Sequence, residues 1–276
     1  MALSARHIGY SYLAGTAFSV EAVRDVDLAV EPGELVIVAG TTGSGKSTLL
    51  RLLAGLLAPT SGVVEVDGTP ASAREARGRV AIVFQNPESQ FFAETVSADV
   101  AFGPRNLGMS DPEAEADRAL GAVGLDPVRF GERSPFALSG GEARRAAIAG
   151  ALAMRARYLL LDEPTAGLDV RGRSAVVDAV TAERAHAGVV VVTHDPEDFL
   201  VHADRVLALS QGACAFSGSV FDLLEQPERY EAAGLSLPEL VQVQRAARER
   251  GIAIPRIELD PRAAAAGVLA GRGGAR

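Results

Sequence analysis

The stretch that most limits what this chain can fold into runs from Leu35 to Leu57. Leu35-Val36-Ile37-Val38-Ala39 is apolar at every position, as a strand buried on both faces must be. It leads straight into Gly40-Thr41-Thr42-Gly43-Ser44-Gly45-Lys46-Ser47, and Ser47 to Leu57 reads as a helix. A strand that hides both faces needs cover on both sides. Together with the strand-helix alternation along the rest of the chain, it therefore predicts a layered, mostly parallel α/β sheet. The eight residues fit G-x-x-x-x-G-K-[ST], in the strand-to-helix context that pattern requires. Glycines let backbone N–H groups converge on phosphate oxygens, and the helix directs its positive end at the same anion. Lys46 offers a point charge to the β- and γ-phosphates, and the Ser47 hydroxyl a hard oxygen ligand for Mg²⁺.

Composition sharpens one position. The chain has 27 Lys+Arg against 35 Asp+Glu, and Lys46 is the single lysine. Arginine serves everywhere that charge alone suffices, while the slim ammonium stands where a planar guanidinium should crowd a nest of N–H groups. The net charge of -8 argues against a nucleic-acid footprint. One cysteine, Cys214, excludes an internal disulfide. No stretch reaches the ~18 apolar residues of a membrane span, and the N-terminus lacks the pattern of a signal peptide. An intracellular chain is expected.

Other strands are expected at Val26–Val30, Val63–Gly68, Val80–Phe84, Tyr158–Leu161, Val189–Val192 and finally Val206–Leu209. Between about Val96 and Met154 the character turns helical, as in Pro112 to Val123 and Ala143 to Met154, and Arg171 to His186 reads as a further helix. Pro238 to Arg250 reads as an amphipathic helix with Ser236 as its expected N-cap. Beyond Pro261 the Ala, Gly and Arg run has little to bury and is expected to fray.

Three more sites sit at strand ends. Tyr158-Leu159-Leu160-Leu161-Asp162-Glu163 delivers two carboxylates to the sheet edge where parallel folds bind ligands. Asp162 suits Mg²⁺, and Glu163 suits orienting or deprotonating an attacking water. Seen alone, the pair reads equally well as solvated acids opening a turn. His194 can contact a γ-phosphate or the water, although a lone histidine is more often structural. Gln85 can reach Mg²⁺ or water through its amide oxygen. Then Leu138-Ser139-Gly140-Gly141-Glu142 places a hydroxyl and glycines at a helix start. This is either a second anion grip or a plain Ser N-cap with spacers. If a grip, it serves a neighbour's nucleotide, and a dimer with ATP sandwiched between subunits is predicted.

In this order of motifs the chain resembles the ATP-binding subunits of ATP-binding-cassette (ABC) transporters, over roughly residues 1 to 233. The resemblance implies a P-loop NTPase of ABC type: a parallel-sheet core, an N-terminal antiparallel β subdomain, a helical subdomain inserted at about 87–154, and a short helical C-terminal extension over 234–276. It implies ATP and Mg²⁺ bound by Gly40 to Thr48, with Mg²⁺ also served by Gln85 and Asp162, and catalysis by Glu163, His194, Gln85 and Lys46. It implies that Tyr12 stacks on adenine, that Ser139 and Gly141, with Gly140 between them, grip the opposite subunit's γ-phosphate, and that Asp169 couples the two sites. Glu142 departs from the family's usual glutamine.

Gln85-Asn86-Pro87-Glu88-Ser89-Gln90-Phe91-Phe92 and Gly234-Leu235-Ser236-Leu237-Pro238 are similar to the ATPases of energy-coupling-factor importers of vitamins, cobalt or nickel. That likeness implies a second ATPase subunit (self or paralogue), a membrane coupling subunit docking near Gln85–Phe92, a separate substrate-binding membrane subunit, no nucleic acid, and a peripheral seat on the cytoplasmic face of the cell membrane. The alternatives are a non-transport cassette ATPase acting on nucleic acid or ribosomes, and a small-molecule kinase. The first lacks the sustained heptads or second cassette of its kinds, and the second has no use for a grip in trans.

Overall fold

In the computed structural model, which describes residues 1–86 and 90–273, the all-apolar segment forms β3 (Leu35–Gly40), buried at every position. It pairs in parallel with β8 (Gly188–Thr193) on one side and β9 (Arg205–Ser210) on the other. Adding β7 (Tyr158–Asp162), β6 (Val80–Val83) and β10 (Ala213–Ser219) completes a six-stranded sheet of order β10-β9-β3-β8-β7-β6. Only β10 runs antiparallel in it. Val206–Leu209 is therefore not the last strand. Gln211 and Gly212, at φ 48° and 80°, turn the chain back into a hairpin, and β10, made mostly of small residues, carries no strand pattern.

A second, antiparallel sheet pairs β1 (Leu3–Tyr12) with β2 (Val20–Val30) and β4 (Ser61–Val66), and β4 with β5 (Thr69–Pro70). No alternation announces β1, because register shifts interrupt it and His7 sits at φ 49°. The helix α1 (Lys46–Leu53) lies between the two sheets, with Leu49, Leu50, Leu52 and Leu53 all buried. It stops short of Leu57 for a local reason. Gly55 takes φ 69°, and the N–H groups of Gly55 and Leu56 return to the carbonyls of Leu52 and Arg51, the Schellman closure of a helix end.

The other face of the six-stranded sheet is covered by helices that intervene between neighbouring β6 and β7. They are α2 (Val96–Val100), α3 (Phe102–Asn106), α4 (Pro112–Ala122), α5 (Pro127–Phe130) and α6 (Gly140–Ala153). Asp111 caps α4 and Asp126 caps α5, each with proline in the first turn. Next come α7 (Val170–Glu183) and α8 (Glu197–Leu200). Alternate residues of β3, β7 and β8 face the two layers, so Ile37 and Val189 join one apolar cluster and Val36 and Val190 the other.

The C-terminal part comprises α9 (Val220–Glu225), α10 (Pro227–Ala232), α11 (Glu239–Glu249) and α12 (Pro261–Gly273). Ser236 does not cap α11. Pro238 holds that position without a side-chain bond, and the Glu239 N–H instead donates to Glu197 Oε1 at 2.9 Å. From Pro261 to Gly273 the chain is helical. Gln244, 1% exposed, exchanges hydrogen bonds with the backbone of Glu258, and Ala264 is also buried. Composition alone hid the tie at Glu258, because it depends on one buried amide. Among the described residues no helix is long and apolar enough to cross a membrane.

Candidate functional site

The loop between β3 and α1 is shaped by glycines at left-handed backbone angles or at close approaches that leave no room for a Cβ. Gly43 and Gly45 take φ 81° and 101°, and a Cβ on Gly45 would stand 2.3 Å from the Ala22 carbonyl oxygen. A Cβ on Gly40 would meet Ser44 Oγ at 2.3 Å. Gly45 caps α1 without a side-chain bond, which leaves the first N–H groups of the helix to an external acceptor. Ser44 Oγ is buried and finds no partner among the described residues. Lys46 lies inside the loop, its Nζ donating to the carbonyls of Gly40 at 2.6 Å and Thr41 at 3.0 Å. Burial pulls its pKa down, against the opposing charges of Glu163 and Asp162. These features together make a concave set of donors around a cation.

The loop also walls a cleft of about 280 Å³, whose lining includes Tyr12, Ala22, Lys46, Ser47 and Thr48. The Tyr12 hydroxyl lies 3.2 Å from Thr48 Oγ1. The Tyr10 ring stands edge-on to that of Tyr12, with centroids 4.9 Å apart. Thr41, Thr42 and Gly43 are exposed.

Both acids at the end of β7 are buried, Asp162 at 5% and Glu163 at 7% exposure, which excludes the reading as solvated turn residues. Burial raises the Asp162 pKa, while a hydrogen bond from Ser47 acts against it. The strand register explains the meeting: Ala39 pairs with Thr193 and Asp162 with Val192, so the ends of β3, β7 and β8 share one edge. Glu163 turns the chain at φ 51°, its N–H held by the Val192 carbonyl at 2.8 Å. Its Oε1 accepts from the His194 N–H at 2.9 Å and faces His194 Nδ1 at 2.8 Å, while Oε2 accepts from Thr193 Oγ1 at 3.1 Å.

Gln85, just past β6, is exposed, and its backbone carbonyl is what the structure engages: Arg144 Nη2 donates to it at 3.0 Å. Ser139 caps α6 in a capping box. Its Oγ accepts from the Glu142 N–H at 3.3 Å, and Glu142 Oε2 accepts from the Ser139 N–H at 2.8 Å. The backbone N–H of Ser139 holds the Glu142 carboxyl below the usual range, helped by the Ser139 hydroxyl and Arg133. Glu142 thus does locally what a glutamine could do at this position of the box.

Gly140 and Gly141 line a different cleft from that of the β3–α1 loop, shared with Leu138, Phe91 and Gly167. Asp169 is exposed and caps α7 through the Gly172 N–H at 2.7 Å. Gly40 to Thr48, Asp162, Glu163 and His194 are therefore brought together within one chain, with Tyr12 at the rim. Ser139, Gly140, Gly141 and Asp169 stand apart, open to another molecule.

Sequence reasoning overlooked Thr193, Tyr10 and Arg144. Thr193 is visible only as the residue preceding His194, and Tyr10 only as a second tyrosine beside Tyr12. Arg144 belongs to Glu142-Ala143-Arg144-Arg145, where two adjacent cations shortly after a glycine pair are the one available signal.

A profile of the family described as ABC transporter matches residues 23–166. The energy-coupling factor transporter ATP-binding protein EcfA2 of Symbiobacterium thermophilum is 47% identical over 279 residues, covering 97% of this chain and 96% of that one. Among solved structures, cbiO1 from Clostridium perfringens, part of the ABC transporter complex cbiONQ, superposes with a TM-score of 0.70 at 30% identity over 88% of this chain and 98% of its own. The dimeric ATP-binding cassette MJ0796 in a post-hydrolysis state with ADP and Pi superposes with a TM-score of 0.72 at 27% identity, covering 79% and 98%.

Proposed function

The chain belongs to the ABC transporter family, and on that footing we propose how its residues divide the work of the ATPase subunit of an energy-coupling-factor importer. That subunit hydrolyses ATP in a dimer to drive uptake of a micronutrient. The observation that carries the site assignment is the convergence of Lys46, Ser47, Asp162, Glu163 and His194 on one sheet edge. Neither the fold nor the relatives favour the alternative on nucleic acid or ribosomes.

ATP lies with its adenine against Tyr12 and its phosphates over Gly40 to Thr48. The unpartnered Ser44 hydroxyl, the free N–H groups of α1 and the Lys46 ammonium supply donors to those oxygens. Lys46 exchanges its loop carbonyls for the β- and γ-phosphates, so the partial loss of hydration already accepted by the folded loop is recovered when the nucleotide enters. The Ser47 hydroxyl and Asp162 carboxylate are hard oxygen donors already in contact, which fits Mg²⁺, with the Gln85 amide as a further ligand. Bound there, the ion supplies charge neutralisation at the phosphates.

Glu163 orients the attacking water and accepts its proton as the oxygen bonds to the γ-phosphorus and the bond to the β-phosphate oxygen breaks. ADP and phosphate leave. His194 holds the carboxylate and meets the γ-phosphate. Ser139 and Gly141 act on the nucleotide of the facing subunit, with Asp169 between the two sites.

A membrane coupling subunit docks near Gln85–Phe92, of which Pro87, Glu88 and Ser89 lie outside the described residues. Phe91 is partly buried against the core. Phe92 is 59% exposed and meets Phe102 edge-on at 4.5 Å, leaving an apolar face for such a partner. A paired ATPase (self or paralogue) and a separate substrate-binding membrane subunit complete the machine, which seats this chain peripherally on the cytoplasmic face. Purification from detergent-solubilised membranes through a tag on this chain tests the reading. It should bring down small integral membrane proteins together with ATPase activity. Recovery with ribosomes or DNA, and no membrane protein, would overturn it.

A further inference from the structure

We propose that Arg144 is a positioning residue that ties the loop serving one nucleotide to the glutamate and glutamine serving the other. The proposal rests on the ATPase reading above and adds a route between the two sites. Arg144 lies early in α6, five residues beyond Ser139. Its guanidinium reaches away from that helix to two separate segments. Nη1 donates to the Glu163 carbonyl at 2.5 Å, and Nη2 to the Gln85 carbonyl at 3.0 Å.

The two ends of this contact belong to different active sites. The helix that Arg144 stands on begins at Ser139, Gly140 and Gly141, which act across the dimer. The carbonyls it holds belong to Glu163 and Gln85, which act on this chain's own ATP. A change in the tilt of α6 as its loop closes on the neighbour's phosphate therefore moves the donors that hold Glu163.

Glu163 is sensitive to such a pull. At φ 51° it occupies the left-handed region, which a residue with a side chain keeps only when its surroundings hold it there. Three bonds hold its backbone: the Val192 carbonyl accepts from its N–H, and its own carbonyl accepts from Arg144 Nη1 and, at the longer distance of 3.3 Å, from the Ala166 N–H. Releasing Arg144 removes the shorter of the two bonds to that carbonyl and loosens the peptide that aims the carboxylate.

A planar fork with separated donors suits two carbonyls on different segments, whereas an ammonium is a point donor on a shorter reach. Arg145, next in sequence, serves another end. It donates to the carbonyls of Val123 and Gly124 beyond α4, and so fastens α6 within its own layer. The pair thus holds the helix to two different parts of the fold.

The test uses the membrane complex purified through this chain, with Arg144→Met, Arg144→Lys, Glu163→Gln and the double variant Arg144→Met/Glu163→Gln. Methionine keeps a long apolar stem and removes every donor. Its kcat for ATP should fall about 10–100-fold, the scale of an ångström-sized misplacement of a catalytic group. ATP affinity, measured with a fluorescent ATP analogue without Mg²⁺, should stay within roughly twofold, since no ground-state contact is removed. Lysine should restore part of the rate.

Because Arg144 acts through Glu163, the double variant should be no slower than Glu163→Gln alone. An unchanged kcat in both Arg144 variants would overturn the proposal. So would a loss of affinity as large as the loss of rate, or a double variant that multiplies the two defects. If Arg144→Met does not fold, Arg144→Lys and its double variant with Glu163→Gln are judged by the same criteria. The function reading fails separately, if the wild-type complex does not hydrolyse ATP or Glu163→Gln hydrolyses it normally. Normal Arg144 variants beside an inactive Glu163→Gln remove only the link.

Discussion

Replacing Glu163 by Gln separates the chemistry of this carboxylate from its structural duties, because the surrounding bonds can be rebuilt around an amide. The Glu163 side chain accepts from the His194 N–H through Oε1 and from Thr193 Oγ1 through Oε2. Thr193 has one hydroxyl proton and two acceptors in reach, Oε2 at 3.1 Å and the Asp195 carbonyl at 2.9 Å. In the variant the amide oxygen keeps the His194 N–H. The amide nitrogen donates to Thr193 Oγ1, and the threonine proton turns to Asp195. No buried group loses its partner, so stability should change by no more than about 1 kcal/mol.

What disappears is the capacity to accept the water's proton, for which a loss of about 10²–10⁴-fold in hydrolysis is expected, or about 2.7–5.5 kcal/mol in the barrier. The assay pairs steady-state phosphate release with size-exclusion chromatography in ATP, where the variant should accumulate as a nucleotide-bound dimer. Glu163→Ala is the contrast. It strands the His194 N–H and shifts the Thr193 hydroxyl, so it should also lower the melting temperature, at about 1–3 kcal/mol per stranded buried group. Hydrolysis at the wild-type rate by Glu163→Gln would refute the assignment.

Three further outcomes are expected. Lys46→Arg should lose nucleotide binding and turnover, because Nζ sits between the Gly40 and Thr41 carbonyls in a space too narrow for a planar fork. Near-normal equilibrium binding of ATP would refute this. Ser139→Arg in one subunit of a mixed dimer should silence the site across the interface, measured by single-site ATP turnover, and full activity there would sink the sandwich arrangement. Stability should also fall in alkali through Tyr158, whose hydroxyl donates to Asp67 Oδ1 at 2.7 Å. Burial first, then the Asp67 bond, pushes its pKa up to about 12, so the fold favours the neutral phenol. That contribution is whole below the ordinary value of about 10 and is lost as pH rises towards about 12. Tyr158→Phe should flatten the fall in melting temperature over that window. Some slope remains, since burial also raises the Tyr230 pKa. An equally steep fall in the variant would remove Tyr158 as its source.

Much of the site was legible in the chain because its parts are local. The turn at Gly40 to Ser47 needs glycine for backbone space and lysine for a slim cation, and both needs are written in consecutive residues. The apolar run ending at Asp162-Glu163 likewise declares a strand and what it delivers. Glu142, a departure from the family pattern, is accounted for by a bond to Ser139 only three residues away.

Other features answer to partners far along the chain. β1 is interrupted by bulges and made a strand by β2 and β4. The segment leading into the last helix is held at Glu258 by the buried amide of Gln244, and Arg144 is defined by carbonyls 59 and 19 residues away. The sequence by itself determined which groups are offered to a phosphate and which acids are delivered beside them, since steric room and hydration are settled within a few residues. Tertiary structure alone decided that these groups meet. Parallel strands have no turn to set their alignment, so the edge shared by Lys46, Asp162 and His194 exists only once β3, β7 and β8 have paired in register.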